Sequence, residues 1–322
     1  MRMVSRRRRR RLAGYALYAL VVTLLWPSDA LAWGPAAHVD YGLEVLKNIA
    51  ILSPFLRGLL GPHADDYLYG CCAADIVVGK NFAKELHHCH NWQVALRMLE
   101  SCEDDRQRAL TFGFLTHLSA DIVAHNFFVP YKSVEAFRAR TAKHSYWELR
   151  WDREVLARPG VWDTFRRITR RKFPEHDAFL GEQLRSGSRL FSFGTSRKIF
   201  SSYMLLTRLE RWQRMVAGVA RRSPLRLDPA EVKEFRTLSV NAIFGFLIDQ
   251  DDSRTVTVDA SGARSLRVAR DLRGELRGFW KDGGVKDERW PALAHDLRGR
   301  FRDGLYGRLE VPDTGALVRK YA

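Results

Sequence analysis

Apolar residues recur at intervals of three and four along most of the chain, in 39–52, 91–101, 106–127 and 145–157, and again in 201–217, 229–247, 265–280 and 289–305. That spacing matches the 3.6-residue turn and predicts helices that each bury one face. Pro and Gly punctuate the intervals between them. Alternation with a period of two is confined to Thr255-Val256-Thr257-Val258, flanked by Asp251-Asp252 and by Ala260-Ser261-Gly262. It reads as a short peripheral ribbon or an exposed loop. The chain is therefore expected to be all-α, without internal repeats. The charged interval 249–264 is the best boundary, dividing a helical domain over 33–250 from a basic helical extension over 251–322 that packs on the main bundle or serves as a docking face.

The N-terminus changes the picture of compartment and charge. Arg2 and the run Arg6 to Arg11 precede an apolar stretch over 12–26, which Pro27 breaks, and Ala30-Leu31-Ala32 follows. These are the three regions of a secretory signal, and the stretch is shorter than the ~20 residues of a spanning helix. The expectation is an exported protein, periplasmic or secreted, cleaved before Trp33. Removing residues 1–32 lowers the formal charge from +16 to +10. Anionic partners follow, namely phospholipid headgroups at a membrane surface, nucleic acid or envelope polyanions, and charge alone does not choose among them. Oligomeric state is not legible. Cys71, Cys72, Cys89 and Cys102 lie within one short window, without paired CxxC knuckles. They are read as disulfides or buried thiols rather than as a structural zinc site.

The chemistry concentrates in Leu115-Thr116-His117-Leu118-Ser119-Ala120-Asp121-Ile122-Val123-Ala124-His125. His117, Asp121 and His125 are successive i, i+4 neighbours. Each step of four turns the side chain only ~40° around the helix axis, so two imidazoles and a carboxylate project towards one volume. The flanks, Phe112-Gly113-Phe114 and Phe127-Phe128-Val129, are apolar. A polar triad on a buried face is costly unless paired or liganded, and this donor set suits zinc. His144 and Glu148 repeat the i, i+4 spacing, although such a pair alone is common on solvated surfaces. Asp75 and His87-His88-Cys89-His90 add a carboxylate and three imidazoles. His88 and His90 lie two apart and point oppositely if extended, so one of them faces a metal and the other does not. Trp33-Gly34-Pro35-Ala36-Ala37-His38 supplies another imidazole and, after cleavage, an α-amino group able to ligate zinc. His63, His176 and His295 are read as ordinary histidines.

Trp at the expected mature N-terminus, a His soon after, an Asp followed by a His, then HxxxDxxxH and HxxxE together resemble the zinc-dependent phospholipase C family and its relatives. Those relatives are the single-strand-specific zinc nucleases and the N-terminal domain of glycosylphosphatidylinositol-specific phospholipase D. The resemblance covers 33–152 and implies an all-α bundle with two to three zinc ions in a cleft. It places the amine and carbonyl of Trp33 with His38 on one ion; Asp75, His88 or His90, and His117 on its neighbour; Asp121 between them; and His125, His144 and Glu148 on the third. The four-residue step from Asp121 to His125 is shorter than in bacterial phospholipase C and resembles the phospholipase D relative. The short step from Trp33 to His38 resembles the nucleases.

The resulting reading is an exported zinc-dependent phosphodiester hydrolase. A zinc-bound hydroxide attacks phosphorus, Asp121 holds the ions, Asp75 assists as proton acceptor, and phospholipid is the preferred substrate. A nuclease or nucleotidase on the same scaffold is the alternative, with Trp92, Tyr146, Trp147 and Trp151 available to stack a base. A non-catalytic zinc-stabilised protein that docks on membranes or a partner is the second.

Overall fold

The computed structural model of the chain describes residues 33–76, 89–139, 144–184, 192–207, 214, 217–218, 225–282, 288–310 and 313–320. The expected signal segment and its cleavage site lie outside these residues, as does His88.

Among the described residues the chain is helical, with no strand, as the periodicity predicts. In chain order the helices are α1 (Pro35–Lys47), α2 (Pro54–Leu60), α3 (Ala64–Ala73), α4 (Trp92–Glu100), α5 (Asp105–Val123), α6 (Val129–Glu135), α7 (His144–Leu156), α8 (Val161–Arg170), α9 (Pro174–Gln183), α10 (Phe193–Thr207), α11 (Pro229–Asp249), α12 (Ala263–Lys281), α13 (Trp290–Asp303) and α14 (Thr314–Lys320). Their starts follow local chemistry. Ser53, Asn91, Asp104 and Asp228 each cap a helix by accepting a backbone N–H, at Leu56, Gln93, Gln107 and Ala230. Proline occupies the first turn of α1, α2, α9, α11 and α13, where its missing N–H costs nothing.

The first expected helix differs at both ends, because Gly34-Pro35 starts it before residue 39 and Asn48 ends it in a 3₁₀ turn. Helices α2, α3, α8 and α9 lie outside the stretches picked out by periodicity. The helix expected over 201–217 begins earlier, at Phe193, and most of its second half lies outside the described residues.

The 255–258 stretch is a correction on two counts. Residues Arg254–Thr257 form a 3₁₀ turn with no strand to pair with, and the segment is not peripheral. Thr255 is buried and donates its hydroxyl to the Ala242 carbonyl at 3.2 Å, while the Trp92 indole donates to the Val258 carbonyl at 2.9 Å. Side-chain hydrogen bonds to other elements hold it inside, which a propensity reading cannot see.

Helix α5 is the axis of the molecule, with every residue from Ala109 to Val123 buried. Helix α3 crosses it where Gly70 faces Gly113. A Cβ at Gly113 would collide with the Tyr67 carbonyl, and one at Gly70 with the Leu110 carbonyl, so the two backbones touch. Helix α11 covers another side of α5, and α1 packs on α3, α7 and α8. Behind the axis, the Trp33 ring lies between Phe128 and Trp151, at centroid distances of 4.7 and 4.2 Å. Ion pairs, each with at least one buried partner, tie the outer elements to this frame. Asp40 of α1 accepts from Arg158 at 3.0 Å and from Arg236 of α11 at 2.7 Å, and Lys132 of α6 donates to Glu231 of α11 at 2.9 Å.

Candidate metal centre

Because α5 is buried on every side from Ala109 to Val123, an imidazole and a carboxylate within that stretch are conspicuous. His117 and Asp121 emerge from one face at 0% and 1% exposure. His125 follows in a π-helical turn over Ala124–Phe128 that continues the helix with a wider ring. There the Asn126 side-chain amide donates to the Ile122 carbonyl at 3.0 Å, satisfying a group that the wider turn releases. From α1 comes His38, from the 3₁₀ turn after α3 comes Asp75, and from the segment before α4 comes His90, all buried. Four segments distant in sequence thus deliver imidazoles and carboxylates to one volume.

The spacings within it are those of ligands around an ion. His90 Nε2 lies 2.9 Å from Asp121 Oδ2 and 3.2 Å from His117 Nε2, and His117 Nε2 lies 3.3 Å from the same Oδ2. Zinc holds nitrogen and oxygen at ~2.0 to 2.2 Å, so the corners of its tetrahedron stand ~3.3 to 3.5 Å apart. The His117–Asp121 and His90–His117 edges come close to that separation, and the His90–Asp121 edge is shorter, at hydrogen-bond length. Asp75 Oδ1 stands off the same edge, 3.7 Å from His90 Nε2 and 3.8 Å from His117 Nε2. On the other side of the carboxylate, His38 Nε2 is 3.4 Å from Asp121 Oδ1, and the His38 ring stacks on His117 at 3.6 Å between centroids. Asp121 therefore faces His90 and His117 with one oxygen and His38 with the other. His38, Asp75 and His117 form a second triplet that could hold a metal, beside His90, His117 and Asp121.

Backbone carbonyls fix which ring nitrogen can ligate. His117 Nδ1 donates to the Cys71 carbonyl at 2.8 Å and His125 Nδ1 to the Ala260 carbonyl at 2.6 Å. In each neutral ring the lone pair is then on Nε2, the orientation that a hydrogen bond from the far ring nitrogen imposes on zinc-binding imidazoles. Among the described residues neither nitrogen of His38, nor either oxygen of Asp121, has a well-directed hydrogen bond, although the imidazoles crowd around them. Such groups, buried from water, are costly as they stand, and a cation between them removes the cost. The residues present fit zinc.

The electrostatics favour the ligating forms of Asp121 and His38. Burial raises the Asp121 carboxyl, but the His117 and His125 imidazoles outweigh it and hold the group well below the usual carboxylate range. Burial lowers His38, and the neighbouring His117 adds to the effect, so its neutral ligating form is favoured. His117 goes the other way, because Asp121 and Asp75 outweigh burial and raise it.

Glu148 is buried on α7, and His144 is the first residue of that helix, its side chain outside the described residues. Trp33 is fully buried, and its indole donates to the Ala120 carbonyl at 3.0 Å, which brings the start of the described chain against α5. His176 is buried and bonded to Asp66 at 2.6 Å, while His63 is half-buried and His295 exposed, so none belongs to the cluster. The four cysteines are thiols rather than disulfides, and the Cys89 Sγ sits 3.4 Å from His90 Nδ1. Trp92, Trp147 and Trp151 are core residues and present no face to a base; Tyr146 is half-buried, its hydroxyl bonded to the Leu225 carbonyl at 3.2 Å.

Sequence reasoning missed the supporting groups. The Cys71 and Ala260 carbonyls carry no signal in residue identity. Asp152 accepts from the Ala36 and Ala37 amides at the start of α1, at 3.3 and 3.0 Å, and so caps the helix that carries His38. Burial lifts its carboxyl to about 7, against the lowering effect of those two amides. Its place four residues after Glu148 was the one signal in the sequence.

An all-helical fold built around a buried carboxylate that several imidazoles face is a helical bundle with a candidate metal-binding centre. Residues 37–187, just under half of the chain, match the model of the zinc-dependent phospholipase C family. The family is one of hydrolases, so the protein is an enzyme of the zinc-dependent phosphodiesterase class. No curated protein and no solved structure matches the chain.

Proposed function

We propose that the protein is an exported phospholipase C whose metal centre is held by His38, Asp75, His90, His117 and Asp121, with His125, His144 and Glu148 on a further ion. The triangle of His90, His117 and Asp121, with edges of 2.9 to 3.3 Å, carries the reading. Bound zinc supplies a lowered pKa for water and positive charge against the phosphate. The chain's own residues do the rest. Asp121 presents both oxygens and so keeps neighbouring ligand groups in register. Carbonyls of Cys71 and Ala260 hold His117 and His125 in the ligating tautomer. Asp75 Oδ1, within 3.8 Å of two imidazoles, is the carboxylate placed to take a proton beside the reacting phosphate.

Phospholipid is preferred over nucleic acid because the tryptophans that would stack a base lie in the core. The helices after residue 251 are proposed to be one unit with the bundle, since α12 packs along α6 and the π-helical turn. The test is hydrolysis by purified protein, stripped of metal and then reconstituted with zinc, of phosphatidylcholine and of single-stranded nucleic acid in parallel. Zinc-restored release of a phosphorylated headgroup is the expected result. Turnover of nucleic acid alone would move the protein to the nuclease reading, and zinc binding without turnover of either would make the centre structural.

A further inference from the structure

We infer that the turn over 258–265, far outside the family-matched segment, is a built part of the metal centre that positions His125, an inference that rests on the proposed role of His125 as a zinc ligand. A clamp of four contacts joins segments distant in sequence. His125 Nδ1 donates to the Ala260 carbonyl at 2.6 Å, and the Asn126 amide to the Asp259 carbonyl at 2.8 Å. Ser265 returns a hydroxyl to Asn126 Oδ1 at 3.1 Å. Trp92, two residues after His90 in the chain, holds the Val258 carbonyl.

The turn is shaped to make these contacts. The Asp259 carboxylate accepts from the Ser261 amide at 2.9 Å, the Ser261 hydroxyl at 2.8 Å and the Ala263 amide at 3.1 Å, which curls the segment and starts α12. Gly262 has φ +58°, and a Cβ there would strike the Cβ and carbonyl of His125. Glycine is needed twice over, for its left-handed backbone and for close approach to the ligand's own main chain. Ala260 is 1% exposed, so the carbonyl that accepts from His125 is shielded from competing water. This carbonyl keeps the proton on Nδ1 and the lone pair on Nε2. The π-helical turn sets the height of the ring, and the Asn126 clamp holds that turn to the loop. Gly262 and Asn126 are thus positioning residues.

The test compares zinc affinity, by competition with a chromophoric chelator, and the visible spectrum of the cobalt-substituted protein, for unmodified protein, Gly262→Ala and Gly274→Ala. Gly274 lies on the helix that follows the turn, with nothing near its Cβ. Loss of a hydrogen-bond partner that orients a ligand costs metal sites about 10- to 100-fold in affinity. Gly262→Ala is expected to weaken one ion by about that factor and to alter the cobalt spectrum, with helical circular dichroism retained and Gly274→Ala unchanged. If Gly262→Ala does not fold, Asn126→Ala, which removes the clamp without adding volume, is judged by the same two readouts. A folded variant that keeps full affinity and the unmodified cobalt spectrum overturns the inference while leaving the metal centre standing. Unmodified protein that binds no zinc overturns the metal reading itself, and this inference with it.

Discussion

At the scale of single residues, Asp121 combines three features: 1% exposure, oxygens facing imidazoles on both sides, and a carboxyl held in its ionised form by His117 and His125 against the effect of burial. Asp121→Asn keeps its volume but removes the charge and one acceptor. The variant is expected to lose about one zinc or more and to hydrolyse phosphodiesters slower by at least about two orders of magnitude, with the helical fold kept. Elemental analysis and initial rates check it. Asp152 makes the opposite use of burial, with its carboxyl raised to about 7. The folded state keeps that proton to higher pH than the unfolded chain, so stability falls as pH rises from about 4 to about 7. In Asp152→Asn nothing titrates, and the stability of the variant relative to the unmodified protein should climb across that window. Denaturant midpoints at several pH values decide it; a flat difference would contradict burial as the cause.

At the scale of elements, the helical pattern is legible where a helix buries one stripe, as in α4 and α12, and His117, Asp121 and His125 could be nominated together as candidate ligands because their spacing is local. Helix α2 escaped because its two turns give periodicity little to show, and α3 because its second half is buried nearly all round and so carries no single apolar stripe. His38, Asp75 and His90 could be nominated but not assembled, since their meeting is fixed by how α1 and α3 pack against α5. The crossing of α3 depends on Gly70 against Gly113, where no side chain fits between the backbones. Gly113→Ala should therefore destabilise by about 3 kcal/mol or more, although alanine is the better helix former. Gly274→Ala, in open space on α12, should stabilise by about 0.5 to 1 kcal/mol. Thermal melts of the two variants should move in opposite directions, and a shared direction would mean that propensity rather than close approach governs α5.

For the whole molecule, the family match ends at residue 187, whereas the proposed centre would draw on the chain as far as the turn that holds His125. No helix among the described residues is long and apolar enough to cross a membrane. Contact of the basic chain with anionic lipid is expected to weaken with salt. Segments distant in sequence that each carry a ligand group also make zinc a cross-link of the fold. Chelation should lower the melting temperature and readdition of zinc should restore it, and a melt indifferent to zinc would remove the ion from the folding account. The most direct measurement is an anomalous difference map at the zinc absorption edge from crystals of zinc-loaded protein. Peaks should fall between His90, His117 and Asp121 and between Asp121 and His38, with two to three ions in the chain. A map with no peak beside Asp121, or with zinc only at surface histidines such as His295, would contradict the assignment of this cluster as the metal centre.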